Sequence, residues 1–185
     1  MRKKHFFKQA LVHWRSDSEV TFASILWFTT MLGAMAGLDF LAGGSTLHRT
    51  IWLVPPFAAT LSILVLLPSA SIAQPIPVVA GSTLGATLGA GAAMIVHGPF
   101  FAVIIAGMTL VILSVLRLYH PPAVALSMYP LLLHPGALFP WAVVFPFTLV
   151  AVGSAAALSR SIKSWPAYPR PLPAPPGLGG SEGLN

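Results

Sequence analysis

The sequence predicts a polytopic α-helical membrane protein. Of its 185 residues, 56% are hydrophobic and only 8% are charged, whereas a soluble domain usually carries about 25% charged residues. Between Glu19 and Arg160 there are three charged residues, Asp39, Arg49 and Arg117. Such long uncharged stretches offer no surface to water, so we expect most of the chain to lie in the hydrocarbon core of a bilayer.

Six apolar segments follow one another along the chain. A membrane-spanning helix needs about 20 apolar residues, and four segments have that length. They are residues 22–43, 76–97, 99–119 and 138–159. Two others, 51–67 with Pro55-Pro56 and 121–133 with Pro121-Pro122, are shorter. The expected fold is therefore all-α, with four long transmembrane helices and two short segments broken by proline.

The order of long, short and long segments occurs twice, which suggests a duplicated three-element unit. Residues 55–62 are similar to residues 121–127, and each stretch follows an arginine, Arg49 or Arg117. If the short segments re-enter the membrane, there are four crossings and parallel halves. If they cross, there are six crossings and inverted halves. Broken helices at matching positions of two halves are typical of a transporter's binding site.

Basic residues flank the apolar region, which we divide into a segment 1–21, a transmembrane domain 22–160 and a tail 161–185. Five basic residues precede the first apolar segment and three follow the last one. They are Arg2, Lys3, Lys4, Lys8 and Arg15 before it, and Arg160, Lys163 and Arg170 after it. The positive-inside rule then predicts that both termini are cytoplasmic. We expect an integral protein of a bacterial inner (plasma) membrane.

Two further features predict contacts between helices or with other proteins. The tail is rich in proline and glycine, so we expect it to be disordered or extended and available to a protein partner. Glycines at four-residue spacing let helix backbones approach closely in lipid, and we also expect the protein to be a homo-oligomer. The glycines with this spacing are Gly33 and Gly37 in the first long segment and Gly81, Gly85 and Gly89 in the second.

The most informative residues of the apolar region lie together at 117–122, with the sequence Arg-Leu-Tyr-His-Pro-Pro. Proline suits the first turn of a helix and pushes its predecessor towards an extended conformation. We therefore expect a chain break at Tyr119-His120 and a new helix from Pro121-Pro122. A helix start directs unpaired N–H groups and a partial positive charge at whatever lies before it. An anion could bind there beside Arg117 and His120.

Each of these residues also has a structural interpretation. His120 could cap the helix break by bonding a free carbonyl, and Arg117 could extend to the lipid headgroups. Asp39 lies near the end of its segment, where an interfacial position is expected. A second candidate break follows the first short segment, where Ser69, Ser71 and Gln74 offer neutral hydrogen bonds to a partly dehydrated ion.

Several classes of function are disfavoured by the residues present. Cysteine is absent, which excludes disulfides, thiolate metal sites and cysteine nucleophiles. The six histidines have no i,i+3 or i,i+4 pair, so we expect no metal site. We find no catalytic triad pattern and no phosphate-binding glycine loop, and we expect neither an enzyme nor a cofactor. The basic residues flank apolar segments, so nucleic acid is not an expected partner.

The chain resembles the HPP family of integral membrane proteins, named for its His-Pro-Pro tripeptide. The similarity extends from about Pro56 to Leu133. It comprises residues 59–68, Ala73-Gln74-Pro75, Val79, Gly81, Arg117 and His120-Pro121-Pro122. The resemblance implies four long helices and, from a plant plastid member, nitrite transport.

This chain departs from the family pattern at three places. In the family, the Gln-Pro element is usually followed by a basic residue. In this chain, it is followed by Ile76. The tripeptide is usually followed by two glycines, which are replaced by Ala123 and Val124. In the family, a histidine or another polar residue commonly follows the paired glycines, and this chain has Ser82 at that position.

Together these features predict a transporter or channel for a small inorganic anion such as nitrite. The expected substrate-binding residues are Arg117, Tyr119, His120, Pro121, Pro122, Ser69, Ser71 and Gln74. The alternative is an accessory membrane subunit that packs in a larger complex and transports nothing. An aqueous cavity reaching His120 would favour the transporter, and a dry interior would favour the accessory subunit.

Overall fold

The fold of the described chain is entirely helical. The structure, a computed structural model, describes residues 20–41 and 54–169, which contain no β-strand. The six α-helices of these residues are α1 (Phe22–Leu41), α2 (Pro55–Leu66), α3 (Ser82–Ala92), α4 (Pro99–Val115), α5 (Pro121–Leu133) and α6 (Phe145–Ser161). Two π-helical turns, Pro77–Gly81 and Pro140–Val144, lead directly into α3 and α6, and a 3-10 turn covers Ser71–Ala73.

Proline residues determine where most of these helices begin. Pro55, Pro99 and Pro121 are the first residues of α2, α4 and α5. Proline is favoured there because its missing N–H would have no partner within the helix in any case. Pro77 and Pro140 likewise open the two π-helical turns. The prolines thus divide the apolar chain into short helical pieces.

Two helices are long and apolar enough to cross a membrane, namely α1, with 20 residues, and the continuous helix Pro140–Ser161, with 22. Helices α2, α4 and α5 have 12, 17 and 13 residues. The prediction of four long transmembrane helices is therefore not confirmed. Segment 76–97 leaves the helix after Ala92. Segment 99–119 leaves it after Val115, because the backbone turns at Arg117 into the left-handed conformation.

Both ends of the described chain lie at the same end of the helix bundle. Trp27, near the start of α1, donates from Nε1 to Ser154 Oγ of α6 at 2.9 Å, and its ring meets that of Trp165 edge-on, with centroids 5.5 Å apart. The Tyr168 hydroxyl donates to the Ala73 carbonyl oxygen at 2.9 Å, in the loop between α2 and α3. We call this the terminal end of the bundle and the opposite one the distal end.

The first residues of the proline-rich tail pack on the bundle. Residues 162–169 have no helical conformation, yet Trp165 and Tyr168 are buried, and the backbone N–H of Tyr168 donates to Ser159 Oγ at 2.8 Å. Composition alone did not indicate this packing, because a high proline content describes the backbone and not its contacts. The tail beyond 169, the basic segment before 20 and the stretch containing Arg49 lie outside the described residues.

Successive helices alternate in direction. Helix α2 ends beside the start of α1, where Val65 and Leu66 line a cleft of about 200 Å³ with Val20 and Ser24. Helix α2 therefore runs towards the terminal end. Short connections then join α3 to α4, α4 to α5 and α5 to the helix that includes α6, and each one reverses the chain. Alternating directions correspond to the topology with inverted three-helix halves.

The two halves also share a structural detail. In each half, a short helix that starts with Pro-Pro is followed by a π-helical turn and then by a helix. Helix α3 packs against the turn Pro140–Val144, and α6 packs against the turn Pro77–Gly81, so the contact is reciprocal. This reciprocity supports a duplicated unit.

The most extensive contact between helices joins α3 to α5. A Cβ added at any of three glycines in the segment 81–89 would overlap a backbone carbonyl oxygen of the facing chain. The facing pairs are Gly81 with Leu118, Gly85 with Ala123 and Gly89 with Ser127. From one pair to the next, the residue number increases in both helices, so α3 and α5 run in the same direction. Because no side chain separates them, the two backbones touch, as in small-residue contacts between membrane helices.

Gly33 and Gly37 of α1 have the same spacing but different surroundings. A Cβ added at either would meet no atom of the described chain within 4 Å. The buried residues of α1 are Ser24, Trp27 and Met35, which lie on its other face. Contrary to expectation, these two glycines do not pack α1 against the described helices, because four-residue spacing does not specify which face of a helix turns inward.

We predict that Gly85→Ala destabilises the protein and that Gly33→Ala does not. The methyl group at 85 would overlap the Ala123 carbonyl oxygen, and overpacking of this kind costs about 1–3 kcal/mol. At 33 the methyl group meets open space, and alanine favours a helix over glycine by about 1 kcal/mol. Thermal unfolding of both variants in detergent tests the difference. Equal midpoints would mean that α3 and α5 do not touch through Gly85.

Candidate functional site at the helix breaks

The break between α4 and α5 places His120 in the interior of the bundle. His120 precedes Pro121-Pro122 and has an extended backbone, with φ −136° and ψ 113°. Its side chain makes no capping bond to α5 and is fully buried. The predicted break at Tyr119-His120 is therefore present, and it turns the imidazole ring towards other segments of the chain.

Both ring nitrogens of His120 contact a polar atom of another segment. Nδ1 lies 2.8 Å from the Ile72 carbonyl oxygen in the loop after α2, and Nε2 lies 3.0 Å from Thr60 Oγ1 in α2. Thr60 Oγ1 is also 3.0 Å from the Pro56 carbonyl oxygen of its own helix. We call the group formed by His120, Thr60 and Ile72 the His120 link. It joins the two proline-broken elements of the chain.

The loop that carries Ile72 is itself held by hydrogen bonds. The Gln74 side-chain amide donates to the carbonyl oxygens of Pro68 and Ala70, each at 3.1 Å. Tyr168 secures the neighbouring carbonyl of Ala73 from the other side, and burial raises the pKa of the Tyr168 hydroxyl above its usual value. The Ile72 carbonyl is thus presented to His120 by a fixed loop.

Arg117 lies at the surface and does not join this interior group. It follows the end of α4 with φ 57°, where glycine is the usual residue. The Leu118 N–H donates to the Leu113 carbonyl at 2.8 Å and the Arg117 N–H to the Ser114 carbonyl at 3.2 Å. This pair of bonds is the Schellman pattern that closes a helix. Arg117 is exposed at the terminal end, a position that suits contact with lipid headgroups.

The other predicted site residues divide between the surface and the interior. Tyr119 and Ser71 are exposed, Ser69 and Pro121 are half-buried, and Pro122 is buried. Gln74 is buried but its amide is engaged within its own loop. The structure therefore brings His120 and the Gln74 loop together through Ile72, and it leaves Arg117 and Tyr119 outside that contact.

Thr60 is a site residue that the sequence did not indicate. It lies 60 positions from His120 in an apolar helix. The one available sign was that it is a hydroxyl residue close behind Pro55-Pro56. Two further hydroxyl groups, those of Ser82 and Thr109, are buried without a hydrogen-bond partner in the described chain. Ser82 immediately follows Gly81, whose Cα faces Leu118 and His120.

A histidine pair at the distal end was also missed. His97 precedes α4 and His134 follows α5, and their rings stack with centroids 4.4 Å apart. The Gly98 N–H donates to the Leu131 carbonyl at 3.1 Å, which ties the two turns together. Both histidines line an open cleft of about 130 Å³ with Ala93 and other small residues. Spacing could not reveal the pair, since the two residues belong to different turns.

The described residues contain no group of three or more histidine, aspartate or glutamate side chains that could hold a metal ion. The polar groups that the structure places at the breaks are neutral hydroxyls, backbone carbonyls and one imidazole. These groups can bind, orient and desolvate a small polar solute, and the imidazole can carry a proton.

The fold and the buried polar link define an integral membrane protein built from apolar helices that proline interrupts. A family model described as "HPP, transmembrane region" matches residues 18–169. The chain belongs to the HPP family of membrane proteins. No curated protein and no solved structure matches it.

We predict that Tyr168→Phe loosens the tail and leaves the bundle intact. The substitution removes the bond to the buried Ala73 carbonyl, and a buried acceptor left without a partner costs about 1–3 kcal/mol. Limited trypsin digestion should then cut faster after Lys163, which follows α6, while the thermal midpoint falls by only a few degrees. An unaltered cleavage rate would mean that the hydroxyl does not hold residues 162–169 in place.

Proposed function

We propose that this protein is a membrane transporter for a small inorganic anion such as nitrite. The observation that carries the proposal is the His120 link, in which a buried imidazole joins two proline-broken elements from the two halves of the chain. In transporters built from repeated halves, the substrate site lies at the junction of such broken helices. Close to this junction, Gly81 faces Leu118 and His120, and the next residue, Ser82, has a buried hydroxyl without a partner in the described chain.

The energetics of an anion in hydrocarbon explain why such a junction is needed. Transfer of a carboxylate-sized ion to a medium of low dielectric costs of order 20 kcal/mol in the ideal case. Protein dipoles must therefore replace the lost water. The helix start at Pro121 and the hydroxyls of Thr60 and Ser82 are dipoles that can do so without adding a permanent charge.

Clefts lie at both ends of the bundle, of about 200 Å³ at the terminal end and about 130 Å³ at the distal end, and both are lined by residues other than those of the His120 link. At the terminal end, His120 is fully buried and both ring nitrogens are engaged. At the distal end, an open cleft lies between α3 and the turn after α5. Because His120 is buried and bonded at both ring nitrogens, transport through this junction requires that the link separate.

The alternative function is a non-transporting accessory subunit. The full burial of His120 is the observation that favours it, because a purely structural imidazole would also be engaged at both nitrogens. Flux separates the two functions: purified protein in liposomes should carry nitrite, nitrate or chloride if it is a transporter. Absence of flux for all three anions would favour the accessory role.

We predict that His120→Ala and Arg117→Ala each abolish flux in folded protein, for different reasons. The first substitution removes the side chain that bridges Thr60 and Ile72. The second removes a permanent positive charge from the surface ahead of the break. Uptake of nitrite into liposomes, with folding checked by gel filtration, measures both effects. Normal flux in both variants would mean that the break is structural.

We also predict that the terminal end is cytoplasmic. The basic side chains of the described chain are Arg117, Arg160 and Lys163, which all belong to the terminal end, whereas its one acidic residue, Asp39, is near the distal end of α1. The positive-inside rule assigns the basic end to the cytoplasm. Because the chain lacks cysteine, a cysteine introduced at Lys163 is a unique label. Labelling of intact cells by an impermeant maleimide would contradict the prediction.

A further inference from the structure

The hydrogen atoms available to the His120 link determine the state of its ring. The Ile72 carbonyl oxygen can only accept, so Nδ1 carries a hydrogen and donates it. Nε2 of a neutral ring then needs a donor, and Thr60 Oγ1 at 3.0 Å is the atom in position. The Thr60 hydroxyl has a single hydrogen but two acceptors within reach, Nε2 and the Pro56 carbonyl oxygen.

A second state of the link satisfies the same atoms. If a proton binds to Nε2, that nitrogen becomes a donor to Thr60 Oγ1. The hydroxyl hydrogen is then released to the Pro56 carbonyl oxygen, 3.0 Å away. Only one proton is added, and the hydroxyl turns about its own bond while the heavy atoms keep their positions. The link can therefore hold one exchangeable proton in either of two fully bonded arrangements.

Among the described residues, no negative side chain lies on the segments that surround the protonated ring. Helix α2, the loop after it, the π-helical turn Pro77–Gly81, α3 and α4 contain no ionisable side chain. Arg117 and Tyr119 are the ionisable neighbours of His120 along the chain, and both are exposed. Tyr168 lies behind the loop that carries Ile72. The acidic residue of the described chain, Asp39, lies on α1 towards the distal end. A buried charge without a partner is costly.

We propose that His120 and Thr60 bind one proton together with each transported anion, so that the protein is an electroneutral proton–anion symporter. This inference rests on the proposed function. The anion supplies the negative partner that the described segments around the ring do not contain, and the imidazolium supplies the charge that the anion needs. Each ion therefore raises the affinity for the other, as thermodynamic linkage requires. The proton enters from one aqueous side with the anion and leaves with it on the other.

Thr60 is the positioning residue of this pair. Its hydroxyl can accept from the imidazolium at Nε2 and donate to the anion instead of to the Pro56 carbonyl. It thereby orders the anion beside the charge. A valine at this position would keep the volume and lose both roles, whereas a serine would keep the hydroxyl.

The test uses the full-length protein in liposomes and compares a pH gradient with a membrane potential. One-to-one symport predicts that a gradient of about one pH unit concentrates nitrite or nitrate about tenfold, and that an imposed potential alone does nothing. An anion uniporter predicts the reverse, with about fiftyfold redistribution for 100 mV and no response to the pH gradient. Protein-free liposomes correct for leakage of nitrous acid, and nitrate provides an anion whose acid does not leak.

Variants test whether accumulation driven by the pH gradient depends on the His120 link. His120→Gln can donate to the Ile72 carbonyl and accept from Thr60 but cannot take a proton, so it should lose accumulation driven by the pH gradient. Thr60→Val should lose it too, and Thr60→Ser should retain it. Thr148→Val is the matched control, because Thr148 is equally buried and its hydroxyl bonds only to carbonyls of its own helix segment. This control should accumulate nitrite as the wild type does.

The outcomes separate the two proposals. If the wild type moves anions in response to voltage and not to the pH gradient, the symport is overturned and anion transport stands. If no anion moves under either force, the proposed function fails and the symport fails with it. If His120→Gln still accumulates nitrite with the pH gradient, the proton site is elsewhere. Should the substitutions at 60 and 120 prevent folding, the comparison of the two driving forces in the wild type still decides.

Discussion

The constraint on which the structure depends is that polar groups freed by proline must find partners where water is absent. Lipid offers no hydrogen bond, so an unpaired backbone group in the membrane costs several kcal/mol. The chain starts α2, α4 and α5 with proline, at positions where no N–H is needed. The carbonyls left over in the loop after α2 are engaged by side chains, that of Ile72 by His120 and that of Ala73 by Tyr168. The polar residues of this protein are few, and most of the buried ones satisfy the backbone.

Backbone contact between α3 and α5 is what brings these groups together. The start of α5 lies directly on α3 because Gly81, Gly85 and Gly89 have no side chains. As a result, His120 lies in the interior beside α2. In the other half, the residues at the same distances from the π-helical turn are Val144, Thr148 and Val152. The residue that precedes the first proline pair is Val54 instead of a histidine. The two halves thus share their backbone plan, and one of the two contains the close contact and the polar link.

The sequence predicted the apolar segments and the proline breaks well, because both are properties of single residues and short windows. Helix α5 begins at Pro121 and ends at Leu133, as the segment 121–133 indicated. Lengths were less predictable: a run of apolar residues does not reveal where the backbone turns at Arg117. Partners were not predictable at all. Thr60 and His120 are 60 positions apart. Two glycine pairs have identical spacing but different surroundings: Gly33 and Gly37 face open space, whereas Gly81 and Gly85 face a neighbouring segment.

The positions at which this chain departs from the HPP pattern have unequal consequences. Ile76, where the pattern has a basic residue, is 69% exposed, so the missing charge lies outside the His120 link. Ala123 replaces a glycine and faces Gly85, where the absence of a side chain on α3 already provides the space. Ser82 is different, because it is fully buried and its hydroxyl has no partner among the described residues. A hydroxyl hydrogen bond left unmade in the interior costs about 1–3 kcal/mol. Ser82 is therefore the one of these three departures that places an unpaired polar group in the interior of the described chain.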